Sequence, residues 1–306
     1  MYTKIRNAIT HFFYIYGIKQ ICFRIDPEII HERMVRLGAM LGKCKLIRMT
    51  MTGFFGYKNK ALEQRISNIT FKNPIGLAAG FDYEAKLIDI FPSVGFGAHT
   101  VGTITNEAYE GNTGPRLARL PKSKSFLVNK GFKSSGMRAG LKQIQKATPT
   151  IPLGISIGAT NKKYDTFQKQ IADLVKGFKQ AIASKQGTDY ELNISCPNLS
   201  HTGKSADVFS TPEGFRELLT ALAGLRFHKP VFVKMYLDKT TKETKTPLQI
   251  KFERLARQIG IAAVILIIIV LITGTLQGTM TFSKMLLFAL VLAVATIPSA
   301  LPVIVT

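Results

Sequence analysis

Two incompatible patterns share this chain. From Asn68 to Met235 short apolar runs alternate with amphipathic stretches, whereas beyond Arg257 the only charged side chain is Lys284. The first pattern is that of buried strands joined by helices, which calls for a parallel sheet with right-handed crossovers. The second is that of membrane-spanning helices. A single compact domain needs one or the other. The sequence therefore predicts three pieces: N-terminal helices over residues 1–54, an α/β domain over 55–238, and a junction plus transmembrane hairpin over 239–306.

In the middle piece, strands are expected at Ile75–Ala79, Ala98–Val101, Leu153–Ile157, Tyr190–Asn193 and Val231–Met235. Helices are expected over Lys86–Val94, Ser134–Lys146, Tyr164–Ser184 and Thr211–Arg226. The stretch Thr105–Lys130 is long for a connection and reads as a functional loop. Towards the N-terminus, the apolar run Phe12–Ile18 is interrupted by Lys19, Gln20 and Arg24 too early to span a bilayer. Asp26-Pro27-Glu28 has the residue types of an N-cap and first turn, so a second helix is expected there. Two short basic amphipathic helices suit a membrane interface. The alternative is that they pack on the domain that follows.

The net charge of +22 and pI near 10.0 favour an anionic partner. Basic residues are scattered through the first 257 positions with no dense arm, which points to membrane lipid and away from nucleic acid. Cys22, Cys44 and Cys196 are far apart and odd in number, so neither a disulfide framework nor a metal site is expected. Lys245, Lys251, Arg254 and Arg257 precede the first uncharged span, Ile259–Leu276. That places the start of the hairpin, and with it the α/β piece, on the cytoplasmic side of the cell membrane.

The sharpest motif is Asn193-Ile-Ser-Cys196-Pro197-Asn198. It follows a predicted strand, where parallel α/β folds keep their reactive groups. Two amides can fix a planar ligand through donor and acceptor edges. A cysteine between them can act as a base if its thiolate is stabilised. The competing reading is a buried thiol in a proline turn.

This motif belongs to a series in which Asn73-Pro-Ile-Gly-Leu-Ala-Ala-Gly-Phe-Asp82 comes first. Val101-Gly-Thr-Ile-Thr105, Pro115-Arg-Leu and Val128-Asn-Lys-Gly-Phe132 follow it in order. Together they resemble dihydroorotate dehydrogenase over about residues 1–238, and Asp26-Pro-Glu28 with His31 resembles its membrane-associated, quinone-using class. The resemblance implies a TIM-type (β/α) barrel, here truncated to its first five strands, preceded by two N-terminal interfacial helices and followed by the transmembrane hairpin. It implies oxidation of dihydroorotate to orotate with FMN and a quinone acceptor, in pyrimidine biosynthesis. Ala79, Gly80, Thr103, Asn193 and Lys234 match positions that bind the cofactor. Asn129, Gly131, Phe132, Asn193 and Asn198 match positions that bind the substrate. Cys196 matches the catalytic base.

Four departures accompany the match. Cysteine at the base position is more like the soluble classes. Tyr83 replaces the lysine that follows Gly-Phe-Asp, with Lys86 as a substitute cation. Ser156 replaces an asparagine. The strands whose loops hold the FMN phosphate are absent, so weak FMN binding is expected. The tail resembles the third and fourth membrane helices of P-type cation-transporting ATPases, through Thr246-Pro-Leu-Gln249, Ile259–Leu276 and Leu292–Thr306 with its Pro298 and Pro302. That leaves a second reading open: a non-catalytic membrane protein carrying a chimeric pump fragment.

Overall fold

The computed structural model describes residues 2–199 and 211–235. The chain divides into two compact units, Met1–Tyr236 and Leu237–Thr306. The expected junction, transmembrane hairpin and ATPase-like segment lie outside the described residues. Among the described residues no helix is long and apolar enough to cross a membrane.

The N-terminal helices are more extensive than expected. Helix α1 (Tyr2–Phe13) runs through a five-residue π-helical segment, Tyr14–Ile18, into α2 (Lys19–Cys22). Helix α3 (Pro27–Lys43) begins where the sequence placed it, with the Asp26 carboxylate accepting from the backbone N–H of Glu28 and Ile29 at 2.8 and 3.1 Å. A further helix, α4 (Lys45–Phe55), corrects the expected pair. A small apolar cluster of Val35, Leu87 and Ile90, extended by Leu41, Met51 and Phe91, packs this region on the α/β part.

An antiparallel hairpin, β1 (Gln64–Ile66) and β2 (Ile69–Phe71), follows. Its turn residues Ser67 and Asn68 have φ of 49° and 65°, as a two-residue hairpin turn requires. Strand β3 (Gly76–Leu77) is shorter than expected. The helix expected over Lys86–Val94 shrinks to α5 (Phe91–Val94). Asp82 is responsible: its carboxylate accepts from the backbone N–H of Lys86 at 2.8 Å and Leu87 at 2.9 Å, holding this stretch as a turn. Pro92, lacking an N–H, is tolerated only in the first turn of what remains.

Strand β4 (Ala98–Thr105) leads to a second hairpin, β5 (Leu117–Leu120) and β6 (Ser125–Val128), inside the segment expected to be a loop. Helix α6 (Met137–Gln145) starts late because Gly136, at φ 85°, turns the chain just before it. Strand β7 (Leu153–Gly158) leads to α7 (Phe167–Ser184), capped by the Thr166 hydroxyl. Strand β8 (Asp189–Asn193), α8 (Pro212–Ala223, capped by Thr211) and β9 (Val231–Lys234) complete the described residues.

The main sheet is parallel throughout, in the order β3-β4-β7-β8-β9. Sequential parallel strands with intervening helices are the build of a (β/α) barrel, here a curled half. All six residues of β7 are buried, as a sheet covered on both faces demands. Its core sets Val101, Ile104, Ile155, Ile157 and Leu192 against Met137, Leu174, Phe178 and Leu218. Each such side chain contributes about 1.5–3 kcal/mol of burial. The consequence for function is that the carboxyl ends of four strands are held rigidly beside one another.

Candidate active site

Those carboxyl ends open onto a cavity of about 220 Å³. Nine of the ten positions expected from sequence line it: Ala79 and Gly80 after β3, Thr103 on β4, Gly131 and Phe132 after β6, Asn193, Cys196 and Asn198 at and after β8, and Lys234 at the end of β9. Asn129 stands behind the wall, its Oδ1 accepting from Asn112 Nδ2 at 2.8 Å.

The wall formed by Ala79, Gly80 and Thr103 is low in relief. Gly80 has φ 112° and donates its N–H to Gly102 O at 2.6 Å. A Cβ there would meet nothing within 4 Å, so the space beside this backbone is open. Thr103 Oγ1 accepts from Asn193 Nδ2 at 2.7 Å and is 3.0 Å from Ser156 Oγ, which donates to Glu191 Oε1 at 2.7 Å. Asn193 Oδ1 accepts from both N–H and Oγ of Ser195, at 3.2 and 3.1 Å. This orients the Asn193 amide from both ends. Ser156 is fully buried behind Thr103 and serves as a link in this chain of bonds rather than as part of the cavity wall.

A second network was not foreseen. Asn112 Nδ2 donates to Asn129 Oδ1 and to Asn198 O at 2.8 and 2.7 Å. Its Oδ1 accepts from Tyr109 Oη at 2.7 Å and Asn161 Nδ2 at 3.0 Å. Gly131 fits into this cluster only because it has no side chain: its φ is 64°, and a Cβ would come within 2.4 Å of Asn112 Oδ1. Asn198 Nδ2 donates to Val128 O at 2.7 Å. The loop carrying Cys196 is thereby fastened to the β5–β6 hairpin. Asparagine gives no periodic signal, so neither Asn112 nor Asn161 could be singled out by pattern.

Burial pushes the Cys196 thiol up from its ordinary value, against smaller opposing effects of the Asn198 backbone N–H and the Lys234 charge. The resting group is therefore a thiol, with a cation and a hydrogen-bond donor in place for the thiolate.

The cation at the mouth is not Lys86, which pairs with Glu84. It is Lys130, whose Nζ lies 4.4 Å from the Tyr83 ring centroid, with Lys133 at 5.9 Å from the same ring. Both lysines and Tyr83 line the cavity. His31, from α3, stacks on Tyr83 at 5.8 Å and 15°. Burial raises the Tyr83 phenol to about 12, with Glu84 adding to the effect. Burial also lowers Lys130, against the opposing Glu28 carboxylate and with the neighbouring Lys133 charge adding to the lowering. Glu28, on α3, pairs with Arg116 at 2.9 Å and ties the N-terminal helices to the same rim. Among the described residues no cluster of three His, Cys, Asp or Glu side chains could hold a metal ion.

A sequence model described as dihydroorotate dehydrogenase matches residues 61–277. The match runs past residue 238, where the sequence resemblance was drawn. A "Dihydroorotate dehydrogenase (quinone)" from Chloroflexus aurantiacus is 32% identical over 220 residues, covering 71% of this chain and 58% of that protein. One from Helicobacter acinonychis is 31% identical, covering 72% of this chain and 60% of its own. The chain thus spans about three fifths of the length of these curated relatives. Among solved structures, DHODH from Eimeria tenella in complex with ferulenol is similar, with a TM-score of 0.57 at 25% identity over 71% of this chain and 61% of that one. The ligand-free form gives the same TM-score at 26% identity.

Proposed function

The chain belongs to the dihydroorotate dehydrogenase family, and on that premise we propose that its cavity oxidises dihydroorotate to orotate with FMN, and that a quinone takes the electrons. The observation that carries this is the convergence of Asn193, Cys196, Asn198 and Lys234 on one cavity at the carboxyl ends of parallel strands.

The residues present fit a flat cofactor. Ala79, Gly80 and Thr103 offer backbone and short side chains where a planar ring needs close approach, with open space beside Gly80. Lys234 brings a positive charge and Asn193 an oriented amide to the same wall. FMN, when bound, supplies the acceptor for the hydride that leaves C6 of the substrate.

The protein's own part is positioning and proton transfer. Asn193 and Asn198 present amides to the substrate ring, with Asn129 buttressing from behind through Asn112. Gly131 and Phe132 shape the face opposite the β3 turn. As a thiolate, Cys196 accepts the proton from C5 and becomes a thiol as the C5–C6 double bond forms. Lys234 and the Asn198 N–H favour the thiolate needed at the start.

The N-terminal helices would serve the electron acceptor and the membrane. Phe12, Phe13 and Tyr16 are exposed, with Lys4, Arg6 and Lys19 nearby in sequence. We assign them to a lipid surface at the cell membrane, with the α/β unit on the cytoplasmic side. The test is to purify the full chain in detergent, supply FMN, dihydroorotate and a short-chain quinone, and follow orotate absorbance. Orotate formation that depends on all three supports the reading, and a chain that forms none overturns it.

A further inference from the structure

Lys130 is a largely buried lysine that feels the Glu28 and Glu32 carboxylates at a distance but makes no close ion pair with either among the described residues. The residue is 9% exposed, and Nζ has no hydrogen-bond partner among the described residues. Its surroundings explain how it is held there. Gly131 and Phe132 follow it with φ of 64° and 63°, turning the chain sharply after it. The Tyr83 ring attracts the ammonium through its face. The nearby carboxylates are committed elsewhere: Glu28 pairs with Arg116 at 2.9 Å, and Glu32 faces Lys133 at 3.5 Å. A buried charge left unpaired is costly unless something completes it. Among the described residues no carboxylate lines the cavity, while Lys133 and Lys234 add further positive charge to its wall.

Residue 83 is a tyrosine, where the sequence resemblance implies a lysine, and Lys86 is engaged by Glu84. The cavity nevertheless has a cation beside residue 83. Building on the function proposed above, we propose that Lys130 is the specificity-determining residue of this site, receiving the carboxylate of the substrate. The charge has moved from residue 83 to residue 130. The Tyr83 ring supports the Lys130 ammonium, and Lys133 extends the positive rim.

The proposal is tested by ligand discrimination. The full-length protein in detergent is titrated calorimetrically with orotate and with uracil, which has the same ring but no carboxylate, in the presence of FMN. The intact protein should prefer orotate. Lys130→Met should weaken orotate by about 30-fold or more, the scale for removing one member of a buried charge pair, and leave uracil unchanged. Lys130→Arg should restore most of the preference. The double variant Lys130→Met with Tyr83→Lys, which returns the charge to residue 83, should also recover it. It guards against a fold defect in the single variant.

FMN affinity, read by flavin fluorescence quenching, should be equal in all four proteins. Loss of FMN affinity with an unchanged orotate-to-uracil ratio would show that Lys130 serves the flavin phosphate, and would overturn the proposal. An unchanged ratio with normal FMN binding overturns it too, while leaving the proposed function standing. If the intact protein binds no orotate, the functional reading itself fails and this one fails with it.

Discussion

The Lys130 ammonium stands 4.4 Å from the centroid of the Tyr83 ring, and His31 stacks on that same ring at 5.8 Å. This joins an N-terminal helix, the turn after β3 and the rim of the cavity in one contact. The phenol, raised to about 12, stays neutral under ordinary conditions, so the ring acts through its face.

Tyr83→Phe should therefore bind orotate almost as the intact protein does. Tyr83→Leu removes the aromatic face and should weaken orotate by a few-fold to about 30-fold, corresponding to the ~0.5–2 kcal/mol of a cation–π contact. Calorimetric titration of both variants measures it. Equal affinities for the two variants would mean that the ring merely fills space.

Cys196 should make the chemistry pH-dependent in a defined direction. Its thiol is held above the ordinary range by burial, so the thiolate fraction grows as pH rises through 9 and beyond. Single-turnover bleaching of flavin absorbance by dihydroorotate should accelerate over that range. Cys196→Ala should slow it by about 10²–10⁴-fold, the usual cost of losing a general base. Lys234→Met should push the rising limb of the profile to higher pH. A flat profile in the intact protein would assign the proton to another group.

How far the sequence revealed this arrangement depended on the kind of signal. Leu153, Ile155 and Ile157 form a short apolar run, and Tyr190 and Leu192 precede the Asn193 motif, so β7 and β8 were legible to within a residue. Asp26 and Pro27 marked the start of α3 directly. The stretch from Lys86 to Ile90 misled because its apolar spacing is helical, while Asp82, outside it, captures two of its N–H groups. The β5–β6 hairpin was hidden because all four residues of β6 are exposed, leaving no alternation. Ala79, Asn193, Cys196 and Lys234 were found through motifs at strand ends. Lys130 was missed because one lysine in a strongly basic chain looks like any other, and only burial sets it apart.

Thr103 links Asn193 to Ser156, and through it to Glu191. Thr103→Val keeps the shape and removes the hydroxyl. It should destabilise the protein by about 1–3 kcal/mol, the cost of buried polar groups left without partners. Asn193 would also lose the bond that holds its Nδ2, keeping only the two from Ser195 to its Oδ1, so FMN and orotate should both bind more weakly. Chemical denaturation and fluorescence titration check the two effects separately. Unchanged stability would show that Ser156 and Asn193 re-pair without the threonine.

His31 gives stability a dependence on mild acid. Burial first, then the Lys130 charge, lowers its folded-state pKa below the ordinary value of about 6.5. Glu32 and Asp82 oppose this, as does the contact with Phe81 O at 3.0 Å. The folded protein therefore prefers neutral imidazole. That contribution is fully present above about pH 6.5 and is lost as pH falls from there towards the lowered folded value. His31→Gln should flatten the denaturation midpoint across this window. An identical slope in the variant would place the titration elsewhere.

The N-terminal surface yields the last prediction. Phe12, Phe13 and Tyr16 are exposed along α1 and the π-helical segment after it. Among the described residues no helix is long and apolar enough to cross a bilayer, and short basic helices with exposed aromatics suit the interface. Two forces should then add: burial of aromatic side chains in the acyl boundary, and attraction of Lys4, Arg6 and Lys19 to anionic headgroups. Replacing Phe12 and Tyr16 by serine removes about 1.5–3 kcal/mol of burial per side chain. Binding of the full chain to vesicles containing anionic phospholipid should fall by at least tenfold, as measured by co-sedimentation. Added salt should weaken the intact protein's binding only in part, because the aromatic contribution is not screened. Loss of all binding in salt, with no effect of the serine replacements, would reduce the surface to simple charge attraction. Unchanged binding in both experiments would assign membrane attachment to the rest of the chain.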